Sequence, residues 1–297
     1  MTNDLNNTKT VFVTLAGRSN VGKSTLLNRI IGNKISIVSP KPQTTIKSVT
    51  GVKTVDNIQY VFLDTPGLHT AKSTLGDTMV KNASQSVKEA DVVLFVISAL
   101  DKPQKHEKDI INLLKQSHKP AFLIINKIDK VKKEAVLETI DSFSKLFDFS
   151  EVIPISALKN DGVDLVLSCL SKYAKPSVFF YDTEFKSDLS DDMFICETVR
   201  EKMLLYLNQE IPHGVCLLPY SFEQDERLIR CEINVYCIKP SHKLIIIGQN
   251  GSMLKKISTA ARLELEKHFN KKVFISCYVR VKPDWQNNMS LINSLGL

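Results

Sequence analysis

Gly17-Arg18-Ser19-Asn20-Val21-Gly22-Lys23-Ser24, with Thr25 behind it, follows directly on the apolar run Val11–Ala16. No other stretch constrains the fold as tightly. An apolar run of that length reads as a buried strand, and Leu26, Leu27, Ile30 and Ile31 recur at helical spacing just beyond the glycines. A strand, a glycine-rich turn and a helix in that order make a loop whose backbone N–H groups face inward at the positive end of the helix, where phosphate oxygens bind. In this reading Lys23 reaches the β and γ phosphates and Ser24 ligates Mg²⁺. The bland alternative is an ordinary glycine-rich turn with a surface lysine.

Three later segments weigh against the bland alternative because they come in the order and spacing that a guanine-nucleotide site needs. Asp64-Thr65-Pro66-Gly67 closes the run Tyr60–Leu63. An aspartate at a strand end can hold Mg²⁺, and a glycine three residues on can bring its N–H to the γ-phosphate with no side chain in the way. Asn126-Lys127-Ile128-Asp129 ends the apolar run Ala121–Ile125. Ionised Asp129 only accepts hydrogen bonds, so it can take both N1–H and the exocyclic N2 hydrogens of guanine, which adenine does not offer. Asn126 would tie this loop to the phosphate loop, and the stem of Lys127 would cover the base. Ser156 and Ala157, after Glu151–Pro154, would offer backbone N–H groups to guanine O6.

Between the first two elements lies Lys41-Pro42-Gln43-Thr44-Thr45. A threonine hydroxyl here can ligate Mg²⁺ only while the γ-phosphate orders the loop, and that role is assigned to Thr45 over its neighbour Thr44. Ser24, Thr45 and Asp64 thus form the expected metal set. Leu68 stands where the best-known small GTPases carry the glutamine that positions water, so intrinsic hydrolysis is expected to be slow. Asn20 is either the group that holds a monovalent cation, K⁺, between the β and γ phosphates, or a turn residue that tolerates unusual dihedrals. On the first reading Asn20, Lys23 and Thr45 are the catalytic set.

With 297 residues, the chain is expected to form two domains. Hydrophobic residues at 43% and charged residues at 24% disfavour disorder. The polar start and the absence of any membrane-length apolar run lead to an expected cytoplasmic location. Six cysteines without a C-x-x-C pair and scattered histidines indicate neither a zinc site nor a disulfide framework, so the thiols should be reduced and mostly buried. Strand-like runs at Val11–Ala16, Ile58–Asp64, Val92–Ile97, Ala121–Asn126 and Val152–Ser156 alternate with helical patterns, which predicts a mostly parallel sheet over residues 1–176. Residues 177–190 read as a linker. From 191 a capped helix with Ile195, Val199, Met203 and Leu207 inward precedes two strands, Gly214–Ser221 and Arg227–Ile238.

The region 191–297 carries its own signal in Ile245-Ile246-Ile247-Gly248-Gln249-Asn250-Gly251, followed by a helix with Leu254, Ile257, Ala261 and Leu265 inward and a strand Val273–Val281. Two glycines around a two-residue tip let a helix-turn-helix approach a nucleic-acid backbone, the K-homology arrangement. From Lys239 to Lys282 ten lysines and arginines face two glutamates, whereas residues 181–238 hold twelve acids and five bases. That asymmetry points to one basic face that collects phosphate, with Lys255 and Lys256 beside the loop.

The chain resembles the bacterial Era family from about Thr10 to Trp285 and beyond: a phosphate loop GRSNVGKS, QTT in the switch, DTPGLH, NKID and ISA, then IIGQNG. The resemblance implies an α/β P-loop GTPase domain followed by an α+β type II K-homology domain. It implies a Mg²⁺-dependent GTPase in small-subunit assembly that binds the 3′ end of small-subunit ribosomal RNA, works as a monomer and associates loosely with the inner membrane face. Carried residue by residue, it places nucleotide contacts on Asn20, Gly22, Lys23, Ser24, Thr45, Asp64, Gly67, Asn126, Lys127, Asp129, Ser156 and Ala157, within a GTP-binding set taken as Gly17 to Thr25, Asp64 to Gly67 and the base-side residues. It places the K-homology loop on Gly248, Gln249, Asn250 and Gly251, with Lys255 and Lys256 expected to add RNA affinity beside it. Ile46 stands where the family usually has arginine, and the Gln249-Asn250 tip lacks the family's usual cation. The alternative reading is a GTP-switched module whose second domain docks a protein or an anionic membrane surface.

Overall fold

The computed structural model describes residues 7–41, 44–67, 73–208 and 210–297. The chain divides into two units. The first ends at Asp188; the second runs from Leu189 to Leu297 and also takes in the short segments Ser39–Thr44 and Ser73–Leu75.

In the first unit β1 (Lys9–Ala16) leads through the phosphate loop into α1 (Lys23–Ile31). Then come β2 (Val49–Val55), β3 (Ile58–Asp64), α2 (Thr74–Glu89), β4 (Val92–Ser98), α3 (Lys105–Ser117), β5 (Ala121–Asn126), α4 (Lys133–Ser144), β6 (Glu151–Pro154), α5 (Val163–Ser171) and the two-residue β7 (Lys175–Pro176). The strands lie in the order β2-β3-β1-β4-β5-β6, with β7 beside the start of β1. All neighbours from β3 to β6 pair in parallel, while β2 and β7 run antiparallel. β4 and β5 are buried along their whole length, as a sheet covered on both faces requires. Their C-terminal ends, with those of β1, β3 and β6, open on one edge, where an open α/β sheet binds ligands.

β2 is absent from the sequence-based list of strands. It carries Gly51 at its centre, and a Cβ there would lie 2.6 Å from Ile35 Cδ1 and 3.0 Å from Leu27 Cδ1, so the glycine lets α1 and its exit loop approach closely. The segment read as a linker is also fixed through Asp188. Ser177 N–H donates to Thr8 O (3.0 Å), Phe180 N–H and Tyr181 N–H donate to Gln59 Oε1 (2.8 and 3.1 Å), and Val52 N–H donates to Lys186 O (2.9 Å). Gln59 is fully buried beneath it. Proline, serine and acids there signal irregular backbone, which need not be mobile backbone.

The second unit runs α6 (Asp191–Tyr206), β8 (Val215–Gln224), β9 (Leu228–Cys237), α7 (Pro240–Ile247), α8 (Ser252–Phe269), β10 (Lys272–Val281) and α9 (Met289–Ser294). The order helix-strand-strand-helix-helix-strand is that of a type II K-homology fold, and its sheet is β10-β9-β8 with β9 and β10 parallel. Alternate residues of β9, Ile229, Cys231, Ile233 and Val235, meet Ile195, Val199 and Met203 of α6 and Ile257, Ala261 and Leu265 of α8 in one core. α6 is not simply amphipathic, because Arg200, Glu201 and Lys202 are buried as well. They are tolerated in pairs: Arg200 with Glu197, and Lys202 with Glu201 and Glu264. The six cysteines are free thiols, five of them buried.

Candidate guanine-nucleotide site and nucleic-acid groove

The phosphate loop needs glycine at two positions for reasons of space and dihedral. Gly17 (φ 150°) would place a Cβ 2.3 Å from Val96 O, and Gly22 (φ 100°) would place one 2.3 Å from Asn126 Nδ2. Asn20 also adopts a left-handed conformation, φ 63°, and its side chain is exposed, so it does serve as the turn residue. Arg18 leans away to Glu107 Oε1 at 3.4 Å; that carboxylate also caps α3 through Gln104 N–H (3.0 Å). Lys23 is buried and donates to Gly17 O and Arg18 O, both at 3.0 Å, bridging the loop it belongs to. Burial pushes its ammonium down to about 8, against the pull of the Asp64 charge.

Asp64, at the end of β3, is fully buried. Its Oδ2 accepts from Ser24 Oγ (2.7 Å) and Ser36 Oγ (2.9 Å), and Ser24 Oγ lies 3.2 Å from Thr45 Oγ1. Its Oδ1 has no partner among the described residues. Burial raises the Asp64 carboxyl above the usual carboxylate range, while Lys23 and the Ser24, Ser36 and Thr45 hydroxyls pull it back. A buried carboxylate oxygen left unpaired among hydroxyl ligands fits a hard cation such as Mg²⁺. Of the two switch threonines, Thr45 reaches this cluster; Thr44 Oγ1 donates to Lys41 O at 2.8 Å instead. Thr65 Oγ1 donates to Leu15 O (2.8 Å), which ties the β3 exit to β1. Gly67 must be glycine because a Cβ would lie 2.7 Å from Ser19 N. Leu68, and the Pro42 and Gln43 of the switch, lie outside the described residues.

At the base end Asn126 joins three loops. Its Nδ2 donates to Val21 O (2.9 Å), and its Oδ1 accepts from Lys127 N–H (2.8 Å) and Ala157 N–H (3.0 Å). Lys127 (φ 66°) sends Nζ to Asn20 O at 2.5 Å, so its stem lies along the phosphate loop. Ser156 Oγ donates to Asp129 Oδ1 at 2.6 Å and fixes that carboxylate. The N–H groups of Ser156 and Ala157, expected to face guanine O6, are occupied by Asp161 O (3.0 Å) and Asn126 Oδ1. The hydroxyl of Ser156 therefore serves the site, whereas its N–H closes the turn.

Sequence reasoning missed three supporting residues. Ser36 adds a hydroxyl to Asp64. Asn28 holds Ser36 in place, with Oδ1 accepting from Ile35 N–H (2.9 Å) and Ser36 N–H (3.0 Å). Arg29 reaches from α1 to Ala157 O and Leu158 O, both at 3.1 Å. None belongs to a short motif; the one local signal is a polar Asn-Arg pair between the apolar pairs Leu26-Leu27 and Ile30-Ile31 of α1.

In the second unit α7 stops at Gly248 (φ 75°), a short 3₁₀ turn carries Gln249 and Asn250 (φ 52°), and Gly251 (φ 77°) starts α8. Gly248 is tightly enclosed, since a Cβ would lie 2.7 Å from Met253 Cβ, whereas Gly251 faces open space. Beside the turn a groove of about 410 Å³ runs between α8 and β10, lined by Gly251, Leu254, Lys255, Ser258, Arg262 and Phe274. Lys256 is not part of it. Its Nζ sits 4.4 Å from the centre of the Tyr206 ring. One residue turns a helix by about 100°, so Lys255 and Lys256 cannot share a face, while Ser258 and Arg262 follow Lys255 along its own face.

A family model described as 50S ribosome-binding GTPase matches residues 12–127, and one described as KH domain matches residues 210–286. Together fold and site define a P-loop GTPase with an appended K-homology domain. The GTPase Era of Ruminiclostridium cellulolyticum is 47% identical over 289 residues, 97% of each chain, and that of Clostridium botulinum strain Hall is 45% identical over 97% of this chain and 98% of its own. The chain belongs to the Era family of GTPases. A crystal structure of Era with MgGDPNP and nucleotides 1506–1542 of 16S ribosomal RNA matches at 35% identity with a TM-score of 0.93, covering 97% of this chain and 99% of that one. An Aquifex aeolicus Era variant bound to GDP and AlF₄⁻ matches with the same figures.

Proposed function

We propose that this GTPase is a ribosome-assembly factor that binds the 3′ end of small-subunit ribosomal RNA under control of its nucleotide. The reading is carried by one conjunction: a complete set of nucleotide-site residues and an open groove beside a G-x-x-G turn, in a chain similar over 97% of its length to an Era crystallised with 16S ribosomal RNA.

In the reaction, water attacks the γ-phosphorus in line, with no covalent intermediate. Lys23 stabilises charge on the β and γ phosphates, and Ser24, Thr45 and Asp64 would hold Mg²⁺, which would supply further positive charge to the phosphates. Asp129, held by Ser156, reads the N1 and N2 edge of guanine. Arg18 is engaged by Glu107 and supplies no free guanidinium. Asn20, exposed at the loop mouth, is the candidate to hold K⁺ in its place. On the RNA side, Gly251 admits the backbone, Lys255 neutralises phosphate with Arg262, ion-paired to Glu266 at 3.1 Å, beside it, and Phe274, 56% exposed, offers a ring for a base. Among the described residues no helix is long and apolar enough to cross a membrane; association with the inner membrane would be peripheral, through the basic segment, and the working form a monomer.

Two variants test the reading on the full chain. Lys23→Ala should lose Mg²⁺-dependent GTP hydrolysis. Gln249→Asp with Asn250→Asp places negative charge at the exposed tip without disturbing enclosed Gly248, so it should lose binding to a 3′-end RNA oligonucleotide and keep hydrolysis. RNA binding unchanged by the tip variant would remove the groove from the account.

A further inference from the structure

We propose that Arg29 is a positioning residue for guanine recognition: it holds the Ala157–Leu158 peptide so that the Leu158 N–H is presented to the 6-oxo group of the base. The inference rests on the guanine-site reading above. Arg29 lies in the last turn of α1, and its guanidinium forks onto two consecutive carbonyls, Nε to Ala157 O and Nη2 to Leu158 O, each at 3.1 Å. A planar fork holds two acceptors in one fixed plane and at a reach that the shorter lysine side chain with its freely rotating ammonium does not reproduce.

The neighbouring N–H groups show why the clamp matters. Ser156 N–H is taken by Asp161 O and Ala157 N–H by Asn126 Oδ1. Lys159 N–H donates to Ser156 Oγ at 3.2 Å. Of the backbone donors of residues 156–159, Leu158 N–H alone has no partner among the described residues. It belongs to the same peptide unit as Ala157 O, and in a trans peptide the N–H points opposite to the C=O. Holding Ala157 O on the α1 side therefore turns the Leu158 N–H to the other side. A charged donor on that carbonyl also polarises the peptide and strengthens its N–H as a donor. Asp129, reading the N1 and N2 groups, is fixed from the same turn by Ser156 Oγ, so one clamped turn serves all three hydrogen-bonding groups along that edge of the base.

The alternative is that Arg29 only complements the negative end of α1 or braces the turn. The test compares GTP with 6-thio-GTP, which keeps N1–H and the 2-amino group but replaces the 6-oxygen with sulfur, a poor acceptor. In the full chain Arg29→Ala should raise the dissociation constant for GTP about tenfold, the worth of one hydrogen bond, and change that for 6-thio-GTP by less than about threefold. Arg29→Lys, which keeps the charge at the helix end, should behave like Arg29→Ala. Arg29 is exposed, so the melting temperature of the nucleotide-free protein should hold. Equal loss for both nucleotides, no loss for either, or rescue by lysine would overturn the clamp. Asp129→Asn in parallel separates the two levels: if it fails to trade GTP for xanthosine triphosphate, the base site itself is misplaced; if it makes that trade while the Arg29 variants do not discriminate, only the clamp fails.

Discussion

Removing the Asn126 side chain should damage nucleotide binding more than any contact of its own with nucleotide could explain. Asn126 is 3% exposed and, among the described residues, links the guanine turn at Ala157 to the phosphate loop at Val21 through its own amide. Asn126→Ala strands Val21 O, Lys127 N–H and Ala157 N–H. At about 1 kcal/mol for each buried group left unpaired, the low end of the usual range, the penalty is about 3 kcal/mol. The cavity left behind also frees space at Gly22, where the Asn126 amide now excludes any side chain. Because the stranded groups lie where two loops must hold the nucleotide together, most of the penalty should appear as lost affinity, about a hundredfold in the dissociation constant of GDP. The remainder should lower the melting temperature of the first unit by a few degrees. Fluorescent-GDP titration with circular dichroism on the same sample measures both. A variant that binds GDP within threefold of wild type would refute the idea that the two loops are coupled through this side chain.

Three further outcomes follow from the same geometry. Burial holds the Lys23 ammonium near 8 in the free protein, and phosphate oxygens would restore its proton, so GTP affinity should fall several-fold between pH 8 and pH 9 with proton uptake visible by calorimetry in two buffers; for the empty protein, the unfolded chain keeps that proton to about 10.5, so stability should rise with pH across that window. Lys255→Ala should flatten the salt dependence of RNA binding by about 0.7 in log–log slope, one phosphate on a single strand, and Lys256→Ala should leave it unchanged because Lys256 lies over Tyr206. Basal hydrolysis should fall roughly between 10⁻⁴ and 10⁻² s⁻¹, faster in potassium than in sodium, with the difference absent in Asn20→Ala; equal rates for wild type in both salts would leave Asn20 as a turn residue alone.

The nucleotide site was largely legible because its chemistry is written in short, local segments. A glycine whose missing Cβ makes room, as at Gly22, or an aspartate at a strand end, as Asp64, announces itself within four residues. The supports were not legible for the opposite reason. Ser36 and Arg29 act on residues far along the chain, and only the assembled sheet brings Arg29 to a turn 128 residues away, while Asn28 acts through the loop that carries Ser36. β2 was passed over because Gly51 weakens its pattern while serving the packing of α1. Residues 177–190 read as a linker from composition, which cannot reveal that the stretch through Asp188 hydrogen-bonds to Thr8 and to Gln59 and Val52 of the sheet. On the RNA side the loop was evident, and helical phase separates the cations: Lys255 and, two turns on, Arg262 line the groove, while Lys256 lies over the Tyr206 ring.

The central claim is that nucleotide site and groove together serve RNA at the 3′ end of the small-subunit ribosomal RNA. Crosslinking the protein in growing cells and sequencing the attached RNA tests it most directly. The account predicts crosslinks concentrated in the last few tens of nucleotides of that RNA and lost in the Gln249→Asp, Asn250→Asp variant. Crosslinks spread evenly over cellular RNA, or centred elsewhere and untouched by the variant, would contradict it.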